Sequence, residues 1–78
     1  NGMRILSQDR TASVDESGVS LLVSENYVAA VFPIQEVGFV RLGKYRSKER
    51  AMEVLEDIHA MYEELPFSGN TVFRMPME

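Results

Sequence analysis

Apolar residues recur along this chain with two different periods. From Met3 to Leu42 they fall into short runs separated by polar or turn-forming clusters. Met3-Arg4-Ile5-Leu6-Ser7-Gln8 leans toward a strand and ends in the polar run Gln8-Asp9-Arg10-Thr11. Asp15-Glu16-Ser17-Gly18 is a turn cluster. Val19 to Val23 is apolar except for Ser20, and Ser24-Glu25-Asn26 breaks it. Tyr27 to Phe32 is β-branched, aromatic and small, and Pro33 closes it. Gln35-Glu36 makes another turn, after which Val37 to Leu42 alternates as a strand does. Runs spaced about ten residues apart with turn signals between them predict an antiparallel meander.

The period then lengthens. Ser47 is a good N-cap, and Lys48 to Glu64 carries apolar residues at 51, 55, 58 and 62. Ala51, Leu55, Ile58 and Tyr62 form one stripe, which Val54 widens on one side and Met52 on the other. An amphipathic helix of about four turns is predicted here. Pro66 stops it, Phe67-Ser68-Gly69-Asn70 turns the chain, and Thr71 to Met75 reads as a last strand before Pro76. The order ββββαβ makes an α+β fold, a small antiparallel meander with one helix packed on one face and a final strand.

Size bears on how such a fold is stabilised. The chain has 78 residues. Asn1-Gly2 ahead of Met3 reads as the remnant of a cleaved tag, leaving residues 3–78 as one small domain. There is no cysteine, hence no disulfide and no thiolate metal site. A chain this short buries only about 60% of its unfolded surface. Yet 45% of its residues are apolar, with five Met among them, too much for a disordered tail. Apolar surface that one small core cannot hide goes into subunit contacts, so self-association is expected. No apolar run approaches the roughly 18 residues that span a bilayer, and a soluble cytoplasmic protein is expected.

Charge sharpens the picture. Eight Lys and Arg stand against twelve Asp and Glu, a net charge of −4. That balance argues against polymeric nucleic acid, which demands many neutralised phosphates. Its distribution is uneven, because Arg41, Lys44, Arg46, Lys48 and Arg50 crowd into ten positions at the helix start. A helix N-terminus offers free N–H groups and partial positive charge. With Ser47, Lys48, Arg50, Arg41 and Lys44 around it, this junction could hold one or two phosphates. The alternative is a solvated basic face in which Arg50 pairs with Glu53.

Arg74 lies between Phe73 and Met75 in the last strand. A charge flanked by apolar residues must reach solvent, a partner or a ligand. Arginine grips phosphate bidentately and stacks on flat bases, whereas an edge-strand arginine can simply discourage aggregation. Asn70 and Phe67 in the preceding turn offer base recognition and stacking, or turn chemistry and core.

Catalysis has little to stand on. The only histidine, His59, sits in the helix near the border of the apolar stripe, where packing or solvation explains it. No nucleophile elbow and no glycine-rich phosphate loop is present. Glu53, Glu56 and Asp57 face outward on the helix and serve solubility better than a hard cation. Neither an enzyme, a metal nor a cofactor is expected.

Three stretches resemble one known family. Met3-Arg4-Ile5-Leu6-Ser7-Gln8-Asp9, the junction Leu42-Gly43-Lys44-Tyr45-Arg46-Ser47-Lys48-Glu49-Arg50-Ala51, and Thr71-Val72-Phe73-Arg74-Met75-Pro76 are similar to the opening, strand-to-helix junction and final strand of the first-described type of Thoeris anti-defense proteins. Arg10 stands where that pattern usually has glycine. The resemblance covers nearly the whole chain through short motifs. It implies a non-enzymatic phage sponge that sequesters glycocyclic ADP-ribose isomers made by TIR-domain sensors. Members are dimers assembled into hexamers, with nucleotide pockets between subunits, and some hold cyclic oligonucleotides at a second site. The family pocket places an aromatic and an arginine around adenine, which maps Arg74 onto its final-strand arginine and Asn70, Phe67 and Phe73 onto nearby contacts. Tyr45 falls in the junction motif beside Arg41, Lys44, Ser47 and Arg50. The competing expectation is a small prophage regulator that docks its Met-rich apolar surface on a host protein and binds no nucleotide.

Overall fold

The computed structural model describes residues 2–33, 38–64 and 70–78. Its elements run β1 (Gly2–Leu6), β2 (Ser13–Asp15), a single 3-10 turn (Glu16–Gly18), β3 (Ser20–Ser24), β4 (Tyr27–Val31), β5 (Phe39–Lys44), α1 (Lys48–Glu63) and β6 (Asn70–Arg74). The architecture is α+β, with one short strand, β2, beyond those expected. That strand has only three residues, too few for alternation to stand out. Asp15 caps the 3-10 turn after it by accepting from the Ser17 N–H. The turns expected at Gln35-Glu36 and at Phe67-Ser68-Gly69, and the stop at Pro66, lie outside the described residues.

The strands divide into two sheets. β3, β4 and β5 form the antiparallel meander in sequence order. The other sheet has the order β2-β1-β6, in which β1 pairs antiparallel with β2 and parallel with β6. The final strand therefore returns to lie beside the first. A main-chain bond stitches the sheets together, Gln8 donating to Leu42 at 2.7 Å, while Met75 donating to Leu6 at 3.0 Å extends the parallel β1–β6 pairing. A bulge opposite Val28 inserts Leu42 as an extra residue in β5, so Leu42 and Gly43 are both buried.

Ser47 starts α1, with φ −154 and ψ 163, and its hydroxyl accepts from the Arg50 N–H at 3.0 Å. The helix packs on β3 and β4. Its buried residues are Ala51, Val54 and Ile58, with Met61 packed against the same core. The stripe is thus rotated toward Val54, while Tyr62 and Met52 stay half exposed. Helical spacing allows both lines, and the inner face of the sheet selects the one nearer Val54. A single core joins Met3, Ile5 and Phe73 of one sheet to Val28, Ala30 and Leu42 of the other, under Val54 and Ile58 of the helix. Burying each large aliphatic side chain there contributes about 1.5–3 kcal/mol.

Candidate functional site

The basic junction before α1 is built around the chain's own last residues. Gln8 places its side-chain amide against four main-chain groups. Its Oε1 accepts from the Lys44 N–H at 3.0 Å, and its Nε2 lies 3.1, 3.1 and 3.0 Å from the carbonyl oxygens of Lys44, Pro76 and Met77. Arg10 donates from Nη1 to the carbonyls of Ser7 and Met75 at 3.2 and 3.1 Å. The Tyr45 hydroxyl donates to Pro76 at 2.9 Å. Arg50 donates from Nε and Nη2 to the Glu78 main-chain oxygen at 3.0 and 2.8 Å, and pairs with Glu53 at 3.2 Å. These groups hold residues 75–78 across the seam between the sheets.

This arrangement changes what the helix start offers. The Ser47 hydroxyl is committed to capping, and the Arg50 guanidinium to Glu53 and the Glu78 oxygen. The expected phosphate cradle is thus occupied in part by main-chain oxygen. The Arg50–Glu53 pair expected of a solvated basic face is present. Tyr45 is buried, 4% exposed, with the Arg50 guanidinium 5.8 Å from its ring centroid. Burial pushes its phenol pKa up, against the nearby positive charges of Arg50 and Arg10. Arg46 and Lys48 are exposed.

Arg10 explains the turn before β2. Its φ is 66, a left-handed conformation that glycine adopts freely and arginine only at a cost. The Arg10 side chain serves as a clamp on the Ser7 and Met75 carbonyls. Asp9 braces the same turn: the Thr11 and Ser7 hydroxyls hydrogen-bond its carboxylate and hold its pKa below the usual range. Asp15 is lowered likewise, first by the Ser17 N–H and then by its hydroxyl.

The final strand carries the other expected residues. Asn70, Val72 and Arg74 are exposed, and Phe73 is buried at 7% exposure. Parallel pairing sets Arg4 beside Val72 and Leu6 beside Arg74 on the same outward face. Asn70 and Val72, with Arg4, Asp15 and Gly2, line a depression of about 220 Å³. Arg74 has no hydrogen bond or ion pair among the described residues. Phe73 faces the core, so within one chain it cannot stack on a ligand bound at Arg74. Phe67 lies outside the described residues.

Arg41 and Lys44 occupy a third place, the outward face of the β3–β4–β5 sheet. Register pairs Arg41 with Ala29 and Lys44 with Tyr27, and paired residues of an antiparallel ladder point to one side. The Arg41 guanidinium sits 4.4 Å from the Tyr27 ring centroid. The sequence-predicted residues are therefore distributed over three surfaces: Asn70 and Arg74 on one sheet, Arg41 and Lys44 on the other, and Tyr45, Ser47 and Arg50 at the seam.

Gln8, Arg10 and Tyr27 are the structurally prominent polar residues that sequence reasoning left aside. Gln8 belongs to a polar run whose partners are more than thirty residues away, so no local signal marks it. Tyr27 was legible as a strand residue, and only register reveals its cation. His59 is exposed, its Nδ1 3.0 Å from the Leu55 carbonyl oxygen one turn earlier. Among the described residues no group of three or more His, Asp or Glu could hold a metal ion, and no helix is long and apolar enough to cross a membrane. No buried side-chain nitrogen or oxygen among them lacks a partner. No protein-family model matches the chain, and no curated protein or solved structure matches it significantly.

Proposed function

We propose that this chain sequesters a small nucleotide immune signal without cleaving it, as the resemblance to the Thoeris anti-defense proteins implies. The ligands are glycocyclic ADP-ribose isomers, with cyclic oligonucleotides as a second class. The setting is the cytoplasm of an infected bacterial host. The observation that carries this reading is Arg74, exposed on the outward face of β6 in line with Asn70. Arginine there can meet phosphate with two parallel N–H groups or lie flat on adenine. Val72, 39% exposed between them, supplies apolar surface that a second subunit can cover. Nanomolar capture needs about 12 kcal/mol, which favours enclosure between subunits of a dimer or hexamer over an open patch.

Incubation with glycocyclic ADP-ribose, removal of unbound ligand, heat release and mass spectrometry test the reading. Unchanged ligand in near-stoichiometric amount is expected from the native chain. Arg74→Ala is expected to capture at least tenfold less, with oligomer size by light scattering unchanged. Release of a cleaved product would mean an enzyme, and full capture by Arg74→Ala would place the site elsewhere.

A second reading is favoured by the helix, where Met52 and Tyr62 remain about half exposed beside Leu55. It makes the chain an interaction module that docks this face on a host protein. Such a module leaves the nucleotide undepleted.

A further inference from the structure

The outward face of the β3–β4–β5 sheet carries chemistry that the nucleotide reading does not use. Leu22, Tyr27, Ala29, Val31 and Phe39, with Phe32 at one end, enclose an open depression of about 420 Å³. That lies within the roughly 300–1,000 Å³ of small-molecule sites. Leu22 is 39% exposed and Phe39 54%, so its walls are apolar and in contact with solvent. The helix covers the opposite face of this sheet.

Register gives the depression a direction. At one end Val31 pairs with Phe39, and the floor is apolar. Toward the other end Arg41 is the partner of floor residue Ala29, and Lys44 is the partner of Tyr27. Arg41 and Lys44 are both exposed, and Arg41 is held against the Tyr27 ring at 4.4 Å. Among the described residues whose side chains register places on this face, none is acidic; Arg41 and Lys44 also line a separate depression of about 160 Å³ with Gln8 and Asp9, whose carboxylate is taken up by the Ser7 and Thr11 hydroxyls. A chain of net charge −4 thus presents one surface that is apolar at one end and cationic at the other. The Ser24 hydroxyl adds a neutral polar contact near the Tyr27 end.

We infer that this face binds a small amphiphilic anion, a molecule with an aliphatic or aromatic body and a single carboxylate or sulfonate head. The body lies on Leu22, Ala29, Val31 and Phe39, and the head meets Arg41 and Lys44. Charge complementarity selects the sign: a cationic amphiphile would set its head against two cations, and a neutral one would forgo both contacts. Arg41 is preorganised by its stacking on Tyr27, which lowers the cost of fixing it around the head group. The inference is independent of the nucleotide reading, since Asn70 and Arg74 lie on the other sheet.

The probe is 1-anilinonaphthalene-8-sulfonate, an aromatic body with one sulfonate, titrated by fluorescence into the full chain. Saturable one-site binding, displaced by decanoate and not by decyltrimethylammonium, is expected. Leu22→Asp, a change at an exposed position that leaves the core untouched, is expected to weaken binding about tenfold by placing a carboxylate on the floor. Arg41→Gln is expected to weaken it about threefold and to flatten its salt dependence. Far-UV circular dichroism and thermal melts establish that both variants fold. Equal binding by native and Leu22→Asp chains, or equal displacement by the two amphiphiles, overturns the inference. So does a native dimer that Leu22→Asp converts to monomers in sedimentation, because the face is then covered by a second copy. Nucleotide capture measured on Leu22→Asp stays at the native level, so failure here and failure of the sequestration reading are distinguishable.

Discussion

The two sheets have the same number of strands and are held in place by different forces. The β3–β4–β5 meander pairs strands that follow one another in the chain and is pressed onto α1 through Val28, Ala30, Val54 and Ile58. Its neighbours in the sheet are neighbours in the chain. The β2–β1–β6 sheet joins the first and last strands in parallel, and no turn can bring those together. Its seam with the rest of the molecule is polar, with Gln8, Arg10, Tyr45 and Arg50 reaching main-chain oxygens of residues 75–78. Local pairing and apolar packing leave the meander's outer face free for a ligand. Non-local contacts commit Arg50, one of the cations at the helix start, to the Glu78 main-chain oxygen.

The largest effect is expected where packing alone acts. Ile58→Ala empties a site that is 1% exposed between helix and sheet, at a cost of about 3 kcal/mol. Urea unfolding followed by circular dichroism checks it, and a loss under 1 kcal/mol would mean the helix is not what holds the meander. Gln8→Ala attacks the seam instead. It removes the only side chain that bridges Lys44 to Pro76 and Met77 among the described residues, and about 2 kcal/mol is expected to be lost. Hydrogen exchange should then accelerate at Met75 and Lys44 before it accelerates in β3 and β4. Uniform acceleration would erase the distinction between the two regions.

Gly43→Ala probes the point where they meet. A Cβ there would lie 2.7 Å from the Tyr45 hydroxyl and 3.0 Å from two ring carbons. The ring must move off Pro76 or the bulge must open, and about 1–2 kcal/mol of destabilisation follows, read as a lower urea midpoint. A smaller change of opposite sign is expected at the β3–β4 turn. Glu25 has φ 52 and is exposed, so Glu25→Gly removes left-handed strain and raises stability by up to about 1 kcal/mol, visible as a higher Tm.

Acid sensitivity should belong to the β1–β2 side. Asp9 and Asp15 both have folded pKa values lowered by hydrogen bonds to their carboxylates. The unfolded chain then binds protons more readily than the folded one, so stability rises with pH through that window. It is fully present above the ordinary aspartate value of about 4 and fades as pH falls toward the lowered values. Asp9→Asn is expected to flatten that slope in urea titrations between about pH 5 and pH 2. An unchanged slope would mean that the Ser7 and Thr11 contacts carry no charge-dependent energy.

Much of this molecule is legible locally. Ser47 and the helical period mark α1 to within one residue of its observed end, because a cap and an amphipathic stripe are properties of neighbouring residues. The meander follows from alternation and turn chemistry, and Arg74 and Asn70 emerge on one face because a strand has a period of two. What lies beyond reach is whatever depends on distant partners. Nothing in Met3-Arg4-Ile5 or in Val72-Phe73 announces that the two segments pair in parallel, nor that this pairing buries Phe73 while leaving Arg74 exposed.

Charge was legible as a cluster and misleading as a site. Five cations at one junction suggested a single pocket, but β5 directs Arg41 and Lys44 outward along one sheet, and α1 directs Arg50 to Glu78. Proximity in sequence places residues within a few ångströms of main chain, while strand alternation and helix rotation decide where each side chain points. By itself the sequence determined the helix, the short strands, the α+β class and the absence of cysteine chemistry, since these rest on composition and local periodicity. Only the tertiary structure decided that the sheets are two, that Gln8 locks the seam, and that Arg41 and Lys44 lie on the outward face of the β3–β4–β5 sheet. Those outcomes depend on which distant backbone groups find one another, and a one-dimensional pattern does not carry that information.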